Sequence, residues 1–445
     1  MFTLNGPVNK GVPVLQPAGT GFMPYSVTTP RNELLGCRES AWLGVALSAS
    51  PVYDIWGPDA VKLLNYVCVN RDFSSLKIGK SRHAILCNEK GQMLADGVLM
   101  RKEENLYRSY WLAPVLSYYV DTLGMNVDGK WIYDEFFLQI DGPRSLEIME
   151  KASQTDLHDL KFAQNKEVMI AGIETTVHRL GMSGCLAYEI HGNVKDVETV
   201  YGAIWEAGQE YGIRKLGCVN YCRNHTQAGY PNQFIHYWYP YLSTSDQMTE
   251  YMKNGKFVGA TARTAKTYPF FGSAADDPQN AFVTPFDVKW EYLINYDHTF
   301  IGRDALLKLK ENPLRTAVTL EWNAEDAGKV FASQFMGKDV EPCDEITQVG
   351  DGGMVPFVIS KVMSGNQMIG VASGRIHDYY HQRMISLAFI EKEYAKEGQE
   401  LTVIWGSRPS AAMPIRATVA QFPYYNEEYR NETFDVEKIP HPVFH

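Results

Sequence analysis

Apolar positions recur at helical spacing most clearly at Val197, Val200, Tyr201, Ile204 and Trp205, a single face of one amphipathic helix. Asn193 is placed to cap it and Gly212 lies just past its last turn. Before it, Gly181 to Gly184 punctuate a turn that enters a short strand carrying Tyr188 and Glu189. After it, Tyr221, Arg223, His225 and Gln227 crowd into what reads as a loop ahead of Gly229-Tyr230-Pro231. Polar side chains set between buried elements mark a candidate site.

A second pattern occurs twice. Val52–Trp56 alternates like a strand, Gly57-Pro58 follows, and Ala60, Leu63, Leu64 and Val67 form a helix face. Phe137–Ile140, Asp141, Gly142-Pro143 and the helix around Leu146 and Met149 repeat that order. The recurrence predicts an α+β fold of two duplicated halves, each a small sheet backed by helices. Between the copies, residues 84–88 and 92–100 form a hairpin with Asp96 in the middle of its second apolar strand. A carboxylate there is costly unless partnered, so Asp96 is either a bonded strand aspartate or a group facing a ligand cavity.

The rest of the chain divides by pattern. Residues 1–30 read as an arm, and a short helix is expected over 32–45, with Arg38, Glu39 and Trp42 facing a neighbour. The α+β region runs over 31–310, and its segment 240–290 lacks periodicity and reads as a long functional loop. From 311 to 425 the strands 316–322, 368–373, 384–390, 401–405 and 415–420, with a helix near 327–336, predict a small C-terminal β-barrel. Residues 426–445 read as a tail wrapping the surface.

Composition narrows the partners. A formal net charge of −10 argues against nucleic acid or an anionic membrane. No apolar run is long enough to span a bilayer, and no secretory signal is evident at the N-terminus. Seven cysteines without framework spacing suit a reducing, cytoplasmic setting. Cys218, Cys222 and His225 sit close in sequence, but further metal ligands are not offered nearby, so no metal is expected.

Gly-x-x-Gly-x-x-x-Tyr-Glu-Ile, the helix, Leu-Gly and Ala-Gly-Tyr-Pro together resemble the folate-binding core of the aminomethyltransferase (glycine-cleavage T-protein) family. Phe300-Ile-Gly-Arg-x-Ala-Leu306, Gly370-Val-Ala-Ser-Gly374 and Ile385-Ser-Leu-Ala388 extend the resemblance over roughly residues 25 to 425. Within the family the chain looks most like the tetrahydrofolate-dependent O-demethylases of methoxylated aromatics. The resemblance implies tetrahydrofolate as cofactor and a catalytic aspartate at Asp96, in the pattern Gly-x-x-x-x-Asp. It also implies a catalytic tyrosine at Tyr221, where T-proteins carry the Arg of Leu-Gly-x-Arg-Asp.

By the same resemblance Tyr188 would flank the pterin, Glu189 would bond its amino-pyrimidine edge, and Gln227 would make a neutral contact where T-proteins have Glu. Tyr53, Trp111, Tyr237 and Tyr239 suit a flat apolar donor, and equally a plain core. Two features depart from the vanillate-type pattern: the histidine pair is replaced by Ser48-Ala-Ser-Pro-Val-Tyr53, and the carboxylate-gripping arginine falls in Tyr110-Trp-Leu-Ala-Pro114. Both put an aromatic acid in doubt as donor. The expected reaction moves a methyl from a methoxyarene to tetrahydrofolate, giving 5-methyltetrahydrofolate and a phenol. S-demethylation, aminomethyl transfer and a non-catalytic folate-binding regulator stay open as alternatives, though the assembly-protein signature Lys-Gly-Cys-Tyr-x-Gly-Gln-Glu is absent.

Overall fold

Both strand–Gly-Pro–helix units fold alike in the computed structural model, which describes residues 2–18, 21–45, 50–257, 265–349 and 357–444. Val52–Trp56 ends at Gly57 and leads to the helix Ala60–Val67; Glu135–Asp141 ends at Gly142 and leads to Ser145–Ser153. The two glycines have φ of 127° and 141°, a region that L side chains rarely enter. A Cβ would also lie 2.7 Å from the Asn126 carbonyl oxygen at Gly57 and 2.3 Å from that of Ser40 at Gly142. Chain direction and close approach therefore both demand glycine at the same place in each half.

The first half is a five-stranded sheet in the order Ser81–Cys87, Met93–Glu103, Leu106–Tyr110, Val52–Trp56, Asp128–Ile132. The second is six-stranded: Asn165–Ile170, Ile173–His178, Ala187–Asn193, Glu135–Asp141, Trp42–Gly44, Arg214–Leu216. One face of each sheet packs on helices. Leu138, Ile140 and Ile190 meet Val197, Val200 and Ile204 of the helix Val197–Gly208 in the second half, each fully buried. Burial of one such side chain contributes about 1.5–3 kcal/mol. The opposite faces turn toward each other, and Val52, Met100 and Tyr110 of one sheet join Trp42, Phe137 and Tyr221 of the other half in a single cluster.

Several segments differ from the pattern-based expectation. The first helix is Pro30–Glu39, capped by the Thr29 hydroxyl, and stops before Trp42–Gly44, which is a sheet strand. Trp42 and Leu43 are both fully buried and fall in different clusters, so the run is two-sided like a strand. Trp42 faces the facing-sheet cluster and Arg38 lies 3.4 Å over the Tyr425 ring, so neither is presented to another molecule. The stretch 240–290 carries helices Tyr241–Thr244 and Asp246–Asn254, the second capped by Ser245; residues 258–264 lie outside the described residues. The barrel closes with six strands, including Ser360–Ser364, which the sequence pattern did not suggest.

Both chain ends dock on the second half. Phe2 and Val8 enter its core, and Glu198 accepts the backbone N–H groups of Thr3 (2.8 Å) and Val8 (3.0 Å). Phe434, Val436 and Ile439 enter the same core, and Arg179 Nη2 donates to the carbonyls of Asn431 (3.2 Å) and Phe434 (2.8 Å).

Candidate active site

Asp96 lies on the strand Met93–Glu103, buried, and every oxygen of its carboxylate is engaged. Oδ1 accepts from the Tyr237 hydroxyl and lies 2.5 Å from that of Tyr239; Oδ2 is 3.1 Å from His83 Nε2. The Asp96 N–H in turn donates to the Tyr239 oxygen at 2.8 Å. His83 pairs across the hairpin with Val98, two residues from Asp96, so pleat alternation puts both on one face. The next residue must be glycine, because a Cβ on Gly97 would sit 2.0 Å from the Tyr110 carbonyl oxygen. Trp111, beyond that carbonyl, has φ 69° and packs against both the first-half core and the facing-sheet cluster.

Tyr221 ends the helical turn Cys218–Tyr221, and Arg223–Ala228 follows as a second short helix, so the expected loop is two helical turns. Tyr221 is buried, and its hydroxyl donates to Gln139 Oε1 at 2.9 Å. Gln139 Nε2 donates to Asp141 Oδ1 at 2.8 Å. Burial, then the nearby charges of Glu189 and Asp141, hold the Tyr221 phenol well above its ordinary pKa, so it keeps its proton. Burial pushes the Asp141 carboxyl up to about 7, against hydrogen bonds from Ser183 and Gln139.

Glu189 faces the same space. It pairs across the sheet with Gln139 and is 7% exposed. Its one ion-pair partner among the described residues is His191, with Nε2 3.6 Å from Oε2. A buried carboxylate with so little local satisfaction calls for a donor from elsewhere. His191 Nε2 and His178 Nε2, beside it, are buried without a hydrogen-bond partner. Carboxylate, unpaired imidazole nitrogens and the flat apolar surfaces of Tyr110, Phe137 and Trp111 suit a polar-edged fused ring.

A row of rings connects the two carboxylates. The His225 ring stands 5.5 Å from Tyr221 and 6.2 Å from Tyr230; Tyr230 lies 6.2 Å from His83 and 5.3 Å from Trp290. Burial pushes His225 down to about 3, against the pull of Asp96, and its Nδ1 has no partner among the described residues. Sequence reasoning missed His83, Tyr230 and Trp290 as site residues. The hairpin register could have found His83; Trp290 carries no local signal.

Five expected site residues are placed elsewhere or already occupied. Tyr188 is fully buried in the helix-backed core of the second half, on the face opposite Glu189, because strand neighbours point to opposite sides. Tyr53 likewise packs on the helix side of its sheet, edge-on to Trp131 at 5.5 Å, while Val52 takes the facing side. Gln227 uses both ends of its amide within the protein: Nε2 donates to Asp378 (2.6 Å) and Oε1 accepts from Arg38 (3.2 Å). Tyr237 and Tyr239, expected against the donor, spend their hydroxyls on Asp96. The Ser48–Tyr53 comparison falls partly on residues 48–49, outside the described residues. Cys218 accepts from Gln16 Nε2 (2.8 Å), and the metal-capable clusters among the described residues are Asp156/His158/His441 and His178/Glu189/His191.

Comparison with known proteins gives one consistent outcome. Residues 30–232 match the GCVT N-terminal domain. A sesamin methylene transferase of Sinomonas sp. (strain No.22) is 42% identical over 98% of this chain and 97% of its own length. A syringate O-demethylase of Sphingobium sp. is 26% identical over 90% of each chain. The glycine cleavage system aminomethyltransferase T of Bartonella henselae superposes with a TM-score of 0.65 over 95% of this chain and 98% of that one, at 17% identity, a likeness of fold. No helix among the described residues is long and apolar enough to cross a membrane. The chain is thus an enzyme of the GCVT aminomethyltransferase family, built on the T-protein fold.

Proposed function

We propose that this enzyme moves a one-carbon unit from an aryl ether to tetrahydrofolate, held between the facing sheets of its two halves. The observation that carries the proposal is Glu189, a buried carboxylate left open toward the space shared by Tyr221 and Gln139. Glu189 takes the donors of the pterin edge. Tetrahydrofolate supplies the nitrogen nucleophile that accepts the carbon.

Tyr221 supplies the proton. A departing aryl oxide is a poor leaving group, and a buried phenol that keeps its proton is placed to hydrogen-bond and protonate it as it leaves. Its hydroxyl already donates to a neutral amide oxygen, so transfer of that hydrogen bond to an ether oxygen costs little. Asp96 does not act as a free base. With Oδ1 shared by two phenols and Oδ2 on His83, it holds Tyr237, Tyr239 and His83 in place.

The donor class follows the relatives. The methylene transferase, similar over nearly the full length, favours an arene bearing a methylenedioxy bridge. Both carbon–oxygen bonds then break, the two N–H protons of the folate end on the two aryl oxygens, and a catechol and 5,10-methylenetetrahydrofolate result. The syringate relative supports a methoxyarene as the second donor class, giving a phenol and 5-methyltetrahydrofolate. Neither reaction changes the overall oxidation state. The unpaired state of all seven cysteines supports a reducing, cytoplasmic setting. Mass spectrometry of the folate pool after incubation with a methylenedioxyarene and with a methoxyarene tests the proposal. Methylene-folate from the first is the expected product, and no one-carbon folate from either overturns it.

A further inference from the structure

A polar chain runs from Asp54 and Arg108, on inner strands of the first-half sheet, to Glu189. Arg108 grips Asp54 with two hydrogen bonds, 2.7 and 2.8 Å, and its Nη1 also pairs with Glu135 of the second half. The Tyr110 hydroxyl donates to Glu135 Oε1 at 2.8 Å, and His191 Nδ1 lies 3.1 Å from the same oxygen. On its other side His191 Nε2 lies 3.6 Å from Glu189 Oε2, and the His178 ring stacks on it at 4.5 Å. We propose that His191 is a positioning residue: a cationic imidazole bridging Glu135 and Glu189, which fixes the Glu189 carboxylate toward the folate. The inference rests on Glu189 being the folate-binding carboxylate.

Charge balance supports it. Asp54, Glu135 and Glu189 bring three carboxylates into this interior, and Arg108 is one cation. Buried carboxylates without counter-charge are expensive, and a protonated His191 supplies the second cation at the position that touches two of them. Burial pulls His191 down, but the hydrogen bond to Glu135 and the attraction of the Glu135 and Glu189 carboxylates outweigh that and leave it above its ordinary pKa. His178 is driven well below its ordinary value by burial and then by His191 and Lys102, so only one ring of the stacked pair is charged. Glu135 is held low, because His191, Arg108 and Tyr110 together outweigh its burial. Asp141 and Tyr221 lie on the Glu189 side of this group, and both feel the Glu189 charge. The bond from Nδ1 to Glu135 fixes the ring so that Nε2 faces Glu189, as a carboxylate behind a histidine generally does.

The test is a double-mutant cycle read by calorimetric binding of tetrahydrofolate to the full chain. E189Q and H191F should each weaken binding about 10–100-fold, the range of a lost charged hydrogen bond. H191F added to E189Q should cost less than about 3-fold more, because the imidazole then has no carboxylate to orient. H191Q, which keeps a donor toward Glu135, should recover part of the loss and guards against a folding defect in H191F. Wild-type affinity should fall as pH rises above the ordinary histidine range, through the raised pKa of His191, since the cation is lost there, whereas H191F should show a flat profile over that range. Losses that simply add overturn the positioning role while leaving the folate site standing. An E189Q with unchanged affinity overturns both. Stoichiometric uptake of Zn²⁺ by the wild type, abolished in H191F, makes the cluster a metal site and overturns the proposal.

Discussion

Asp96 and Glu189 are both buried carboxylates on sheet strands, one in each half, yet they are treated in opposite ways. Asp96 is saturated by the protein: two tyrosine hydroxyls on one oxygen and a histidine on the other. Glu189 has a single histidine 3.6 Å away. A saturated carboxylate costs the folded state little and cannot take a ligand without breaking internal bonds. An under-satisfied one is paid for elsewhere in the fold and is ready for an incoming donor. The same residue type thus serves as a fixed wall in one half and a binding group in the other.

The sharpest test lies beside the open carboxylate. Tyr221→Phe keeps the ring against Trp42 and His225 and removes one hydrogen bond, to Gln139. Turnover should fall about 10²–10⁴-fold, the usual scale of general-acid help, with tetrahydrofolate affinity nearly unchanged. Donors with better leaving groups should lose less. Wild-type turnover of a methylenedioxyarene and a methoxyarene by this variant would remove Tyr221 from the mechanism.

The comparison itself is tested by a pair of variants. Asp96→Ala leaves the buried Tyr237 hydroxyl without its acceptor, at about 1–3 kcal/mol, and removes the carboxylate contacts of Tyr239, which keeps Gln233 Oε1 at 2.5 Å, and of the half-buried His83. Its melting temperature should therefore drop together with its turnover. Glu189→Gln should lower tetrahydrofolate affinity by about 1–3 kcal/mol. In the absence of folate its stability should shift by less than about 1 kcal/mol, because little is bonded to that carboxylate. Thermal scans with and without folate separate the two cases. Equal destabilisation of both apo variants would erase the distinction.

How legible this was depends on the range of the interaction. The duplicated strand–Gly-Pro–helix units and the barrel strands were readable because period-two and helical patterns are local, and glycine at a positive φ is a local demand. Tyr221, Asp96 and Glu189 were singled out through residue type in a family-like order, and the fold brings Tyr221 and Glu189 to one space around Gln139. Partnership was not readable. Nothing near Asp96 in sequence announces that hydroxyls more than a hundred residues later will saturate it. Gln227 looked like a ligand contact because its partners, Arg38 and Asp378, come from the first helix and the barrel. The docking of both termini on the second half is equally non-local, although Phe2, Val8, Phe434 and Ile439 were apolar residues in segments read as surface.

The smallest expected effect tests the alternation that separates Tyr188 from Glu189. Tyr188 pairs with Ile140 across the sheet, and Glu189 with Gln139, so consecutive residues serve the helix core and the facing-sheet space respectively. In that core the Tyr188 hydroxyl is buried without a hydrogen-bond partner among the described residues, and burial raises its pKa, so it stays a neutral phenol. Tyr188→Phe removes only that unsatisfied oxygen from an apolar surrounding. Stability should stay level or rise by up to about 1 kcal/mol, since an unpaired buried hydroxyl is a cost rather than a gain. Tetrahydrofolate affinity should be unchanged in the same calorimetric assay that registers Glu189→Gln. A folate defect in Tyr188→Phe comparable to that of Glu189→Gln would mean that both neighbours touch the ligand, which a regular strand does not allow, and the assignment of the binding face would have to be reversed.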